Sequence, residues 1–262
     1  MDTRFKICPK CHHEHPPGET TDAGVCAACG LVFAKWMTHG SYVPLRLRKQ
    51  DDEDDREESQ SLTSVLAARL LEVPRKITSI ELGGRAIILT LLTIWSTRMA
   101  ALDFRDGEMF TSFMHAIVLP IHEAGHIVFI PFGEFMTIAG GSLFQLLMPL
   151  IAGGVLLIQN RDPFGAALGL WWCGASMIDL APYIYDAAEP QLMLLGGHTG
   201  EDGPHDWIYL LDTFGKLARS QDYGAVAHKV GIAIMIAGLA WAAVVLLRQK
   251  ARLAAADTAL PI

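Results

Sequence analysis

Five consecutive residues, His122-Glu123-Ala124-Gly125-His126, combine side chains and a spacing that suit metal-assisted hydrolysis. Residues four apart project from the same face of a helix, so His122 and His126 can ligate one zinc ion. Glu123 lies beside them, where its carboxylate can take a proton from an attacking water. The motif stands in an apolar stretch, where ionisable groups are expensive and a metal would compensate for them. Histidines hydrogen-bonded within a helix bundle are the plainer alternative.

A hydrolytic zinc site needs a third protein ligand and keeps its fourth position for water. The apolar stretch 165–187 offers Asp179 and Asp186 on one helical face. Asp179 lies near the middle of its stretch, as the His-Glu-x-x-His motif does within 113–133, whereas Asp186 lies at the end. The expected depth in the membrane therefore favours Asp179 as the third ligand and leaves Asp186 as the alternative.

Further polar residues are candidates for binding substrate or for supporting the metal ligands. Ser142 and Gln145 lie in another apolar stretch, where small residues more simply serve close helix packing. His115 lies seven residues before His122, on the same face but about 10 Å away along the helix. The polar segment 188–225 could cap the site, and its candidates are His198, His205 and Asp206.

Four of the five cysteines lie within the first 29 residues, as two Cys-x2-Cys pairs. Two such pairs can close a tetrahedral structural zinc site, so residues 1–36 are predicted to form a zinc ribbon. Its ligands would be Cys8, Cys11, Cys26 and Cys29. The start of the chain lacks the apolar core of a secretory signal, and clustered thiols suit a reducing compartment. We therefore expect the ribbon to be cytoplasmic.

The rest of the chain is strongly apolar. Over the whole chain, mean hydropathy is +0.30 and only 19% of residues are charged. Segments long enough to cross a bilayer, which needs ~20 residues, lie at 83–102, 113–133, 135–158, 165–187 and 226–247. The predicted fold class is an all-α polytopic membrane protein with about five transmembrane helices and a small N-terminal zinc ribbon.

An acidic linker separates these two parts. Residues 51–58 hold seven acids and one Arg, so the formal charge of −7 leaves only −1 for everything else. No basic patch remains, and no nucleic-acid partner is expected. We expect residues 37–80 to form this linker, with a possible interfacial helix near its end, and residues 81–262 to form a transmembrane metallopeptidase-like domain.

The side of the membrane that each end occupies is ambiguous in the sequence. Basic residues flank both the first and the last apolar segment, and the positive-inside rule would make both flanks cytoplasmic. Five crossings cannot place both ends on one side. Three explanations are open: one segment is re-entrant, residues 188–225 contain a further crossing, or the rule fails here.

The transmembrane part resembles the site-2-type intramembrane metalloproteases (peptidase family M50), and more narrowly a bacterial group of M50-like membrane proteins with an N-terminal zinc ribbon. The resemblance implies zinc at His122 and His126, with Glu123 as general base. Better-known members carry Asn-x-x-Pro before a ligand Asp that opens Asp-Gly. This chain has Asp179 at the position of the Asn, and its later Asp186 is followed by Ala187 rather than Gly. Motif alignment therefore favours Asp186 as the ligand, whereas the expected depth in the membrane favours Asp179. The segments that carry the resemblance are 119–126, 140–142, 179–187 and 205–207.

The expected function is that of an intramembrane zinc-dependent endopeptidase with one catalytic and one structural zinc ion. It would cleave a membrane-embedded or membrane-proximal polypeptide by metal-activated water. Its expected partners are the lipid bilayer, a membrane protein substrate and a protein that binds the ribbon, and its expected location is the bacterial inner membrane. The alternative is a non-catalytic membrane adaptor with structural zinc sites, and a metal sensor or carrier is a weaker third.

Overall fold

The structure is a computed structural model that describes residues 7–14, 24–33, 68–73 and 77–258. The chain divides into two units, residues 1–61 and 62–262. The acidic run and the first half of the proposed interfacial helix, residues 62–67 of 62–73, lie outside the described residues; of its second half, residues 68–70 form a helical turn. Within the described ranges the secondary structure is helical, apart from two isolated β-bridges in the first unit.

The first unit contains two similar turns, each built around one Cys-x2-Cys pair. The Cys8 N–H donates to the His13 carbonyl at 2.9 Å, and the Cys26 N–H donates to the Leu31 carbonyl at 2.8 Å. Short antiparallel bridges close each turn, at Ile7–Glu14 and Val25–Val32. These turns direct the four thiols toward a common centre, as the ribbon interpretation predicts.

The second unit consists of helices joined by short turns. Its α-helices are α1 (Ser79–Ala101), α2 (Phe113–Phe129), α3 (Glu134–Ile158), α4 (Pro163–Asp186), α5 (Asp206–Thr213) and α6 (Ser220–Thr258). Short 3-10 turns lie at Phe104–Asp106, Glu108–Thr111, Ile130–Phe132 and Leu217–Arg219.

Five of these helices are long and apolar enough to cross a membrane, which confirms the predicted fold class. They are all the α-helices except α5. The observed ends lie close to the predicted ones except in α6, whose 39 residues correspond to about 58 Å at 1.5 Å per residue. It extends well beyond the predicted segment 226–247.

Helix α4 lies at the centre of the bundle and is the most buried span. Glycines at its contacts let neighbouring backbones approach closely: a Cβ on Gly174 would lie 2.5 Å from the backbone of α6, and one on Gly169 would lie 2.7 Å from the backbone of α3. Small residues at helix crossings are the usual means of close packing in membranes. Buried side chains on α4, including Trp171 and Ile178, form the main apolar core with residues of α1, α2 and α6.

Contacts between helices fix their relative directions. Arg85 pairs with Asp162 and Ser96 accepts a hydrogen bond from Trp171, so α1 runs parallel to α4. On α2, His115 contacts Asp179 and the later His122 contacts Tyr183, so α2 also runs parallel to α4. Consecutive helices α1 and α2 therefore point the same way.

The short link between α1 and α2 does not return the chain across the bundle. Residues 102–112 contain two 3-10 turns, and Phe113 at the start of α2 packs on Trp95 at 5.8 Å between ring centroids. Helix α2 thus begins beside a residue six positions before the end of α1, which is about 9 Å inside that end. Helix α2 therefore runs parallel to α1 and begins inside its end, as the first of the three alternatives left open by the sequence, a re-entrant segment, requires.

The segment that precedes α1 and the second half of α6 lie at the same end of the helix bundle. The Trp241 indole N–H donates to the Leu70 carbonyl at 2.8 Å, and Arg252 donates to the Val73 carbonyl at 2.9 Å. The second half of α6 therefore lies beside the segment that precedes α1. This arrangement is compatible with four crossings and one re-entrant helix, which would put the basic residues at both ends on one side of a membrane.

Candidate metal centre

The side-chain amide of Gln145 is hydrogen-bonded to Nδ1 of His122, the first histidine of the motif. Gln145 of α3 donates from its Nε2 to the Ser176 carbonyl at 3.1 Å and to the Asp179 carboxylate at 3.2 Å. Because both partners only accept, the amide orientation is fixed and its Oε1 faces Nδ1 of His122 at 2.9 Å. Nδ1 of His122 must therefore carry a hydrogen, which leaves Nε2 as the ring nitrogen available to a metal ion.

The second histidine is held in the same way by a backbone carbonyl. Nδ1 of His126 lies 2.8 Å from the carbonyl oxygen of Thr137, near the start of α3. A carbonyl oxygen only accepts, so Nδ1 of His126 also carries the hydrogen. Hydrogen bonds of this kind orient the histidine ligands of metal sites.

One ring nitrogen of each motif histidine and a carboxylate oxygen of Glu123 lie within 4.8 Å of one another, in an arrangement able to hold a metal ion. The Asp206 carboxylate, at the start of α5, faces the same point. Its Oδ2 lies 3.0 Å from Nε2 of His122 and 3.3 Å from Nε2 of His126. Burial raises the pKa of the Asp206 carboxyl, but the two imidazoles outweigh this and hold it below its usual value. A carboxylate this close to two imidazoles requires a positive charge between them, which a proton on Nε2 or a bound cation supplies.

Gly141 on α3 keeps the space beside the two histidines open. A Cβ at this position would lie 2.5 Å from Nε2 of His122 and 2.6 Å from Nε2 of His126. Ordinary Cβ contacts are 3.4–4 Å. A glycine is therefore the residue that leaves room at the inward face of both rings.

The centre lines a cavity of about 340 Å³ between α2, α3, α4 and the segment that follows α4. Polar side chains from the motif form one part of its wall, and His115 lies further along α2. Apolar side chains form much of the rest, among them Leu119, Leu180 and the consecutive Met193, Leu194 and Leu195. The cavity can thus accommodate an apolar ligand with a polar group at the centre.

The structure places the two acids of α4 in other contacts. Asp179 accepts hydrogen bonds from His115 Nδ1 at 3.0 Å and from Gln145, as described above. Asp186 accepts from the backbone N–H groups of Gln191 and Leu192 at 2.8 and 3.1 Å, and so holds the start of the segment after α4.

The remaining candidates lie around the cavity. His198 lines it, and its Nδ1 lies 3.0 Å from the Thr199 carbonyl. His205 caps α5 by accepting from the Ile208 N–H at 3.3 Å. Ser142 is buried beside Gly141, with no hydrogen-bond partner for its hydroxyl among the described residues.

The four cysteines of the first unit meet the geometric requirements of a tetrahedral metal site. Sγ of Cys8 lies 3.7 Å from Sγ of Cys29, and Sγ of Cys11 lies 3.6 Å from Sγ of Cys26. A tetrahedron with Zn–S bonds of ~2.3 Å has edges of about 3.8 Å. Burial raises the pKa of Cys8, but backbone hydrogen bonds from Cys11 and Lys10 outweigh it and lower that pKa to about 6.

Comparison with known proteins identifies no relative of this chain. No protein-family model matches the chain, and neither the curated proteins nor the solved structures contain a significant match. The two candidate metal sites therefore stand on the geometry described above.

Three residues of the centre escaped sequence reasoning or were given another role there. Thr137 acts through its backbone carbonyl, which no side-chain pattern reveals, and Gly141 lies in a stretch whose small residues are predicted to serve close helix packing. Asp206 is predicted from the sequence only as a residue that binds substrate or supports the metal ligands, in a segment that could cap the site. Its place in the short polar run His205-Asp206-Trp207 was the available signal.

Proposed function

We propose that this protein is a membrane-embedded zinc-dependent endopeptidase that cleaves a membrane-embedded or membrane-proximal polypeptide, as its resemblance to site-2-type proteases implies. One observation carries the proposal. Gln145 and the Thr137 carbonyl hold Nδ1 of the two motif histidines, which leaves their Nε2 atoms as the possible metal ligands, beside Glu123 in the wall of a cavity between membrane-spanning helices.

The residues present fit a catalytic zinc site. His122 and His126 would hold the ion, and a bound zinc would polarise the scissile carbonyl and lower the pKa of water. Glu123 accepts a proton from the attacking water and passes it to the leaving amine. The cavity walls orient an extended apolar segment, since a peptide bond inside a helix is shielded by its own backbone.

Charge asymmetry supports an orientation for the protein. The segments at the far end of α1 and α4, residues 102–112 and 187–219, contain eight acids and three Lys or Arg residues. The opposite end carries the basic flanks, so it belongs in the cytoplasm by the positive-inside rule. Tyr183, which packs against His122, lies three residues before the end of α4. The centre would then lie toward the extracytoplasmic face of a bacterial inner membrane, with the ribbon in the cytoplasm.

The proposal is tested with a peptide library in detergent micelles, in which each peptide carries an apolar stretch of about 20 residues. Products are identified by mass spectrometry for the wild-type chain, the zinc-stripped chain and Glu123→Gln. We expect site-selective cleavage that needs zinc and disappears in Glu123→Gln. The matched control is Glu134→Gln, which alters an exposed carboxylate in the first turn of α3.

Two outcomes would contradict the peptidase proposal. Cleavage that survives in Glu123→Gln would show that this carboxylate is not the base. An absence of cleavage in a chain that holds zinc at the histidine pair would favour the adaptor, in which the same residues have a structural role.

A further inference from the structure

A metal centre built on two histidines requires a third protein ligand, and three aspartates compete for that position. Hydrolytic zinc sites use three protein ligands and leave the fourth position open. Glu123 is assigned to proton transfer in the proposed function, on which this inference rests. The choice is therefore between Asp179 and Asp186 on α4 and Asp206 on α5.

The distances around Asp206 match those between ligands of one ion. Zinc bonds to nitrogen and oxygen of ~2.0–2.1 Å at tetrahedral angles separate neighbouring ligand atoms by about 3.3 Å. The Asp206 oxygen lies 3.0 and 3.3 Å from the two histidine nitrogens. Because Nδ1 of each ring holds a hydrogen, each Nε2 faces the Asp206 carboxylate, and the charge of that carboxylate is balanced by a proton on Nε2 or, in a loaded site, by a cation that all three groups share.

Asp206 is fixed in place by contacts on its own backbone. Its N–H donates to the Tyr183 hydroxyl oxygen at 2.9 Å, which ties the start of α5 to α4. The preceding residue, His205, caps α5 and has its Nε2 3.6 Å from the Asp186 carboxylate. The carboxylate of Asp206 is therefore presented to the histidines by a short helix whose first residue is hydrogen-bonded to α4.

The two acids of α4 are occupied with other partners. Asp179 holds His115 and Gln145, so its oxygens orient the amide behind His122 rather than face the Nε2 atoms. Asp186 accepts two backbone N–H groups of the segment that leads to α5. Both residues support the centre from outside it.

We propose that Asp206 is the third metal ligand, so that a helix outside the membrane-spanning segments completes a site begun within them. Asp179 then acts as a positioning residue through Gln145, and Asp186 as an anchor of the connecting segment. Metal binding at the histidines and docking of α5 become one event. Removing the Tyr183 hydroxyl weakens both.

The experiment compares Asp206→Asn, Asp179→Asn and Asp186→Asn in the full chain. Zinc affinity of the membrane site is measured by chelator competition, together with total zinc and thermal unfolding in detergent. Cobalt-loaded samples are measured as difference spectra against the His122→Ala, His126→Ala double variant, which cancels the ribbon signal. Asp206→Asn should lower the zinc affinity of the membrane site at least about 100-fold, more than the roughly 10–100-fold loss typical of outer-shell changes. It should also change the cobalt d–d bands.

The other variants define the remaining outcomes. Asp179→Asn and Asp186→Asn should keep the cobalt band shape of the wild type, and Tyr183→Phe should keep it with about tenfold weaker binding. If Asp206→Asn instead behaves as wild type while one α4 variant changes the bands, that α4 residue is the ligand and the proposal is wrong. If the wild-type chain holds zinc only in the ribbon, the metal centre itself is refuted, and with it this assignment.

Discussion

Replacing Gly141 with alanine should remove metal from the membrane site while leaving the fold intact. The added Cβ would lie 2.5 and 2.6 Å from the two Nε2 atoms, almost 1 Å inside the ordinary contact distance. The rings cannot retreat freely, because Gln145 and the Thr137 carbonyl hold them from behind at 2.9 and 2.8 Å. Metal ligands tolerate displacements of only about 0.2 Å. We therefore expect zinc affinity at this site to fall at least about 100-fold.

The control is Gly154→Ala in the same helix, where an added Cβ has no heavy atom within 4 Å. Overpacking costs about 1–3 kcal/mol, so Gly141→Ala should unfold at a slightly lower temperature yet keep its ribbon zinc. The assays are zinc content per chain, chelator competition and unfolding in detergent. Wild-type zinc affinity in Gly141→Ala would refute the placement of the metal between the two rings.

Three other outcomes test separate parts of the account. Gln145→Leu should weaken zinc binding at the membrane site by about 10–100-fold, with exposed Gln159→Leu as its control, and equal affinities in a chelator competition would contradict the orienting role. Reporter fusions at the N-terminus and after residue 258 should report the same side of the membrane, and opposite sides would exclude the re-entrant arrangement. Zinc binding by the metal-free ribbon should release protons from its mutually interacting cysteine thiols, because a backbone hydrogen bond from His13 lowers the pKa of Cys11 less than burial and the neighbouring thiols raise it, to about 12. Calorimetry in buffers of different ionisation enthalpy measures this, and ribbon affinity should fall as pH is lowered, since protons compete for the thiolates.

The local features of the fold were predictable from the sequence. Apolar segment length identified the five helices, because a spanning helix must be about 20 residues long whatever surrounds it. Cysteine spacing identified the ribbon in the same way, since each Cys-x2-Cys pair forms its own turn. Both signals lie within a few dozen consecutive residues.

The completion of the membrane site depends on contacts that no local pattern encodes. Asp206 lies 84 residues after His122, on a short helix that no apolar periodicity connects to α2. Depth along α4 pointed to Asp179, but depth cannot reveal that Gln145 lies between that carboxylate and the histidine. The chain direction of α2 was equally hidden, because a re-entrant helix and a crossing helix have the same composition.

The central claim is that the membrane part holds its own metal ion at the two motif histidines. The most direct measurement is the zinc content of the purified full chain, compared with the His122→Ala, His126→Ala double variant and with His228→Ala as a control on α6. The account predicts two ions per chain, one in the double variant and two in the control. One ion per chain in all three, after reloading with zinc, would contradict it.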